Sequence, residues 1–239
     1  MGEEAGDTRK VVITGGSAGI GFSTADRLVH LGHSVFICAR NRQTLNLAIE
    51  QIRDRHEGAH ISGDVCDVRN YDDVVKFMAA ADAWMGGIDV LVNNAGIASV
   101  KPFEDMSAED WKDMVDINLT GVFNGCKAAL PMLKQSTCAN IINLGSRAGR
   151  YAFPGGTAYN ATKFGLQGFS EALFLDISRY GIGVSLVAPG TVATDLSGSS
   201  EDWHLQAEDI AKVISDLLTN NNRANINWVE VRPGRPPSG

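Results

Sequence analysis

Residues 10–21, KVVITGGSAGIG, put a β-branched run, a glycine turn and the start of a helical pattern end to end. No other stretch restricts the fold as much. Gly15 lets the chain turn sharply after the strand, and Gly19 and Gly21 let backbone approach a ligand and let the next helix pack on the strand. Free N–H groups at that helix start, with the positive end of the helix dipole, make a cradle for an anion such as a pyrophosphate. A glycine turn is common by itself; its place directly after the first strand gives it weight.

The chain keeps alternating after this turn. Short β-branched runs predict strands at 10–14, 34–39, 60–63, 90–93, 140–144, 183–187 and 228–231. Apolar residues at helical spacing predict helices over 19–31, 42–55, 71–84, 108–133, 159–180 and 207–219. The strands read as nearly continuous apolar runs, as strands buried on both faces do. Strand–helix alternation of this kind calls for a parallel sheet with helices on both faces. The expected fold is therefore α/β, a single-domain doubly wound (Rossmann-like) parallel seven-stranded sheet over residues 1–239, with 1–8 and 233–239 as flexible tails. Two segments, 110–133 and 159–180, are apolar around more than one face, so one side of each is expected to meet another subunit.

Composition excludes some roles. A net charge of −7 works against nucleic acid and anionic membrane as partners. The opening MGEEAGDTRK lacks the basic-then-apolar order of a secretory signal, and no apolar run reaches the roughly 18–20 residues of a membrane helix. A cytoplasmic location is expected. The five histidines and four cysteines (Cys38, Cys66, Cys126, Cys138) fall in no metal or redox spacing, so no metal is expected and the thiols are read as buried and reduced.

Chemistry gathers at the strand ends. A carboxylate after the second strand would hold the ribose hydroxyl of NAD; this chain has Ala39-Arg40-Asn41-Arg42, and a guanidinium there suits a 2′-phosphate. NADP(H) is thus preferred, with NAD(H) possible. Tyr159 and Lys163 are four apart, on one face of a helix. A phenol, with its ordinary pKa of about 10, exchanges protons slowly at neutral pH, and a nearby ammonium lowers that value. Ser146 ends one strand, Asn93–Gly96 (NNAG) another, and Pro189-Gly190 a third, all on the carboxyl edge where such sheets bind ligands.

The chain resembles the classical short-chain dehydrogenase/reductase family. The resemblance covers roughly residues 9–233 and rests on Thr14–Gly21 (TGGSAGIG), Asp64-Val65, NNAG at 93–96, Asn118, Ser146, YNATK at 159–163 and PGTVAT at 189–194, in the family's order and spacing. It implies a tetrad: Ser146 binds the substrate oxygen, Tyr159 transfers the proton, Lys163 binds the nicotinamide ribose and depresses the tyrosine pKa, and Asn118 positions a water in a relay to Lys163. For the cofactor it implies Gly15, Ser17, Gly19, Ile20 and Gly21 in the turn, Arg40 and Asn41 at the phosphate, and Asp64 and Val65 at adenine. Asn93, Ala95, Gly96, Tyr159, Lys163, Pro189, Gly190, Val192 and Thr194 complete the cofactor set, and Asn94 matches the family's sheet-stabilising asparagine. The implied activity is NADPH-dependent reduction of a small-molecule ketone or aldehyde, reversible as alcohol oxidation, in a homodimer or homotetramer.

Two departures stand out. The place before the second glycine, often basic in NADPH-preferring members, is Ala18, so the phosphate leans on Arg40, helped by Asn41 or Arg42. The lid after Pro189 is short, about residues 195–206, with Trp203 its largest apolar side chain, which suggests an open site for varied or bulky ketones. Arg147 and Arg150 flank the serine segment, as solvated or interface charges or as contacts for an anionic substrate group. Two rival readings stay open: an NAD-dependent alcohol or sugar dehydrogenase, and a dinucleotide-sensing module without turnover.

Overall fold

The structure, a computed structural model, describes residues 8–194, 201, 203–219 and 223–234. Seven parallel strands form one sheet in the order β3-β2-β1-β4-β5-β6-β7. They are β1 (Lys10–Thr14), β2 (Ser34–Ala39), β3 (Ile61–Val65), β4 (Val90–Asn93), β5 (Asn140–Leu144), β6 (Gly183–Pro189) and β7 (Trp228–Val231). The helices are α1 (Gly19–His30), α2 (Arg42–Arg55), α3 (Tyr71–Met85), α4 (Ala108–Val115), α5 (Gly121–Leu133), α6 (Thr157–Ile177) and α7 (Ala207–Leu217).

Alternate strand residues serve opposite faces. Val11, Ile13, Val35 and Ile37 pack with Leu28 of α1, Leu45 and Ile52 of α2 and Ile210 and Ile214 of α7. Val12, Phe36, Leu91 and Ile141 pack with Phe77 and Met78 of α3, Cys126 and Ala129 of α5 and Leu166 of α6. Apolar residues on both faces explain the unbroken hydrophobic runs of the strands. Strand order reverses between β1 and β4, which opens a crevice at their carboxyl ends, the usual ligand position in such sheets.

Several boundaries differ from the sequence expectation. The third strand is shifted to Ile61–Val65, and β6 continues to Pro189 because β7 pairs with it to that residue. The helix expected over 108–133 is two helices joined by a π-helical turn, Asp116–Thr120. The helix carrying Tyr159 starts two residues earlier, at Thr157, and ends in a 3₁₀ turn at Ser178–Tyr180. Cys38, Cys66 and Cys126 are buried free thiols, but Cys138 is only half-buried, a correction to the expectation for all four. Of the expected tails, 1–7 and 235–239 lie outside the described residues, as do 195–200 and 202 of the short lid.

Candidate active site

The glycine turn adopts the backbone its sequence implies. Gly15 has φ of +67°, a region that costs other residues. At Gly21 a Cβ would lie 2.2 Å from the Gly15 carbonyl oxygen, so only glycine lets α1 approach this closely. Asn41 and Asn70 cap α2 and α3 through their side chains, whereas α1 starts at Ala18 with no side-chain cap. Its first amides are left for a ligand, with the dipole favouring an anion. Asn94 Nδ2 donates to the carbonyls of Thr14 (3.0 Å) and Gly15 (2.8 Å), and the Thr14 hydroxyl accepts from the amides of Asn94 and Ala95 (both 3.1 Å). These bonds fix the two lips of the crevice. Thr194 is against the turn, its Cγ2 being 3.4 Å from a Cβ built on Gly19.

Asn93 ends β4 with its side chain buried, 2% exposed. Its side chain turns into the core, where Nδ2 donates to Asn143 Oδ1 (2.9 Å) and to Cys126 Sγ (3.3 Å). Asn143 Nδ2 donates onward to Ser170 Oγ (2.9 Å). This buried chain ties β4 and β5 to α6. The physical reason is strand alternation: if Asn94 reaches the crevice, its neighbour faces the opposite side.

At the far side of β2, Arg40 is exposed and forms no hydrogen bond or ion pair with another described residue. Arg42 Nη2 is held by Asp64 at 2.7 Å, and Asn41 Oδ1 is spent on the amides of Gln43 and Thr44. Asp64 also accepts from the amide of Val65.

Ser146, Tyr159 and Lys163 converge from β5 and α6. Ser146 Oγ accepts from the amide of Ala148 (3.1 Å) and lies near the Tyr159 phenol. Burial pushes that phenol above the ordinary tyrosine range, and the nearby Ser146 hydroxyl pulls it partly back. Lys163 Nζ donates to the Leu144 carbonyl (2.8 Å) and is 5.7 Å from the centre of the Tyr159 ring. Its burial brings the ammonium down to about 8. In this state the phenol is raised by burial; the depression expected from Lys163 is not what sets its level. Asn118 sits on the π-helical turn, a feature often found at functional positions. Its Oδ1 accepts from the Ile97 amide and its Nδ2 donates to the Ile97 carbonyl, both at 2.8 Å, and to Thr162 Oγ1 at 3.3 Å. It thus fastens the loop after β4 to α6.

Sequence reasoning missed Asn160 and Thr162 as positioning residues. Asn160 Nδ2 donates to the carbonyls of Ala148 (2.7 Å) and Tyr151 (3.1 Å), pinning the serine segment onto the helix of Tyr159. Their place inside YNATK was the available signal. At the edge of the sheet, the Gly190 amide donates to Val231 (2.7 Å), and Val192 bridges to Leu205. Trp203 packs locally, as Nε1 donates to Glu201 (2.6 Å) and its ring meets His204 edge-on. Among the described residues no cluster of three or more His, Cys, Asp or Glu could hold a metal, and no helix is long and apolar enough to cross a membrane.

Comparison with known proteins agrees with this geometry. The family model for short chain dehydrogenase matches residues 9–205. A 3-dehydrosphinganine reductase of Arabidopsis thaliana is 38% identical over 232 residues, covering 95% of this chain and 68% of the relative. The solved actinorhodin polyketide ketoreductase with NADPH superposes with a TM-score of 0.88 at 31% identity, over 95% of this chain and 97% of that one. A metagenomic short-chain oxidoreductase in complex with NADP gives 0.83 at 31% identity, over 96% and 99%.

Proposed function

Because this chain belongs to the short-chain dehydrogenase/reductase family, whose members are NAD(P)-dependent oxidoreductases, we propose that it reduces ketones or aldehydes with NADPH, using Tyr159 as proton donor. The observation that carries the reading is the convergence of Ser146, a protonated Tyr159 and a buried Lys163 beside an uncapped glycine-turn helix.

The residues fit a dinucleotide. The amides of the glycine turn and of the start of α1 would hold the pyrophosphate, Asp64 and Val65 the adenine side, and Lys163 with the segment 189–194 the nicotinamide side. When bound, the nicotinamide supplies the hydride. Ser146 holds the carbonyl oxygen, and Tyr159, whose phenol lies near Ser146, delivers a proton to that oxygen. Lys163 keeps a positive charge beside the phenol as it loses its proton. Asn118, fixed on Ile97 and Thr162, orders a water that replaces the proton Lys163 then passes on to restore the Tyr159 phenol. The first test is oxidation of NADPH and of NADH against a carbonyl panel; NADPH-selective turnover supports the reading, and tight NADPH binding with no turnover on any carbonyl favours the sensing module.

Cofactor choice rests on Arg40, the exposed guanidinium in that loop that forms no hydrogen bond or ion pair with another described residue. Arg40→Asp is expected to lower kcat/KM for NADPH by about 10²-fold and to leave NADH equal or better, since a carboxylate repels the 2′-phosphate and accepts from the ribose hydroxyl. Unchanged preference rejects the assignment.

The assembly is a homodimer or a tetramer built from it. Phe123 of α5 and Phe164 and Leu175 of α6 are exposed beside a groove of about 560 Å³ that includes Leu130, Phe169 and Leu173. Two apolar helix faces side by side suit a second copy of the same pair. Light scattering at micromolar concentration is expected to give a dimer or larger, reduced to monomer by Leu175→Asp; a monomeric wild type overturns this.

A further inference from the structure

We infer that the carbonyl substrate carries an apolar body and, at a distance from the carbonyl, an anionic group that binds Arg147, Arg150 and Arg232; this rests on the reductase reading above. Two surfaces of opposite character flank the catalytic serine, and one short segment, residues 147–153, contributes to both.

The first surface is cationic. Arg147 directly follows Ser146, and its guanidinium gathers with those of Arg150 and Arg232 around Glu230 of β7, at 3.3 Å from Arg147 and 4.0 Å from Arg150. Glu230 is only 14% exposed. One carboxylate for three guanidiniums leaves two positive charges in excess, on a chain whose total is −7. Most of their donors are unspent. Arg232 donates to Glu230 and, at 3.4 Å, to the Tyr151 hydroxyl, and the buried Arg147 Nε faces the Glu230 carboxylate at 3.3 Å, which leaves the terminal guanidinium nitrogens of Arg147 and Arg150 without hydrogen bonds to described residues. Forked donors of this kind match a carboxylate or a phosphate.

The cluster is anchored to the reacting groups. Arg147 Cδ is 3.5 Å from a Cβ built on Gly190, in the segment beside the site, and the Tyr151 carbonyl accepts from Asn160, the neighbour of Tyr159.

The second surface is apolar. Val100 and Phe103, in the loop after β4, are 62% and 75% exposed, and Phe153 is exposed in the segment after Ser146. The two loops are joined, since the Lys101 amide donates to the Gly155 carbonyl at 3.0 Å. Val100 Cγ1 is 2.9 Å from a Cβ built on Gly155. Large apolar side chains left at a site mouth take up a ligand's hydrocarbon.

The test pairs a medium-chain ketone bearing a terminal carboxylate with its methyl ester, at saturating NADPH and low ionic strength. Wild-type kcat/KM is expected to favour the carboxylate by about tenfold, less at high salt. Each added methylene is expected to raise kcat/KM about threefold until the lip is filled. In Arg150→Gln/Arg232→Gln the carboxylate-to-ester ratio should fall toward one; using the ratio within each protein cancels any general loss of activity, and the wild-type salt dependence stands if the double variant does not fold. A wild-type ratio near one, a ratio that survives loss of both arginines, or indifference to chain length overturns the inference. Failure on both ketones with turnover of another carbonyl also overturns it, whereas failure on every carbonyl overturns the reductase reading beneath it.

Discussion

Tyr159→Phe is expected to bind NADPH like the wild type and to reduce a ketone about 10³-fold more slowly, within the range a positioned general acid contributes. The substitution removes one oxygen and keeps the ring, so packing on α6 is preserved. What disappears is the O–H that would give its proton to the substrate oxygen beside Ser146. Burial holds the phenol above its ordinary range, so it stays protonated at neutral pH, as a donor in reduction must. Reduction should therefore be flat through neutral pH and fall only in the alkaline range, while alcohol oxidation, which needs the phenolate, should rise there. Cofactor fluorescence and stopped turnover, measured on the same preparation, separate the outcomes. Binding kept and turnover lost supports the role. A wild-type rate breaks the mechanism, and loss of NADPH binding places the damage in the cofactor crevice instead of the proton transfer.

Much of this frame was legible because its causes are local. The glycine turn, the β-branched runs and the apolar spacing are each set within a few residues, and five of the seven strands fall where those runs predict. The π-helical turn at Asp116–Thr120 was not legible, since one extra residue per turn hardly disturbs an apolar pattern counted over 26 positions. Asn93 and Asn94 could not be assigned to core and crevice from NNAG, because a strand alternates faces and the sequence does not say which comes first. The anchoring of Lys163 on Leu144 and the gathering of Arg147, Arg150 and Arg232 on Glu230 join residues far apart in the chain, so no window along it contains them. Motif residues were visible for the opposite reason: parallel strands deliver their carboxyl ends, Ser146 after β5 among them, to one edge, and a spacing of four puts Tyr159 and Lys163 on one face of α6.

Lys163→Met is expected to lower turnover about as much as Tyr159→Phe and yet to melt no earlier than the wild type at pH 7. The lysine is 7% exposed, and burial lowers its ammonium from 10.5 to about 8. That drop penalises the charged form by about 3 kcal/mol. The sign follows from proton binding. Below pH 8 both folded and unfolded chains hold the proton, so the full cost is present; between about 8 and 10.5 the unfolded chain binds more, and the cost fades as pH rises. Against this, methionine leaves the Leu144 carbonyl without its donor, a loss of about 1–3 kcal/mol. At pH 7 the two nearly cancel or favour methionine, and the variant should melt at the wild-type temperature or a few degrees above it. Near pH 10 the wild-type lysine is already neutral in the fold but still bonded to Leu144, so the order should reverse. Calorimetry at the two pH values checks the crossing. A variant several degrees less stable at pH 7 would mean that the ammonium's contacts outweigh its burial; the crossing, with turnover lost, would mean that the protein carries a buried charge at a net cost in order to keep a cation beside Tyr159.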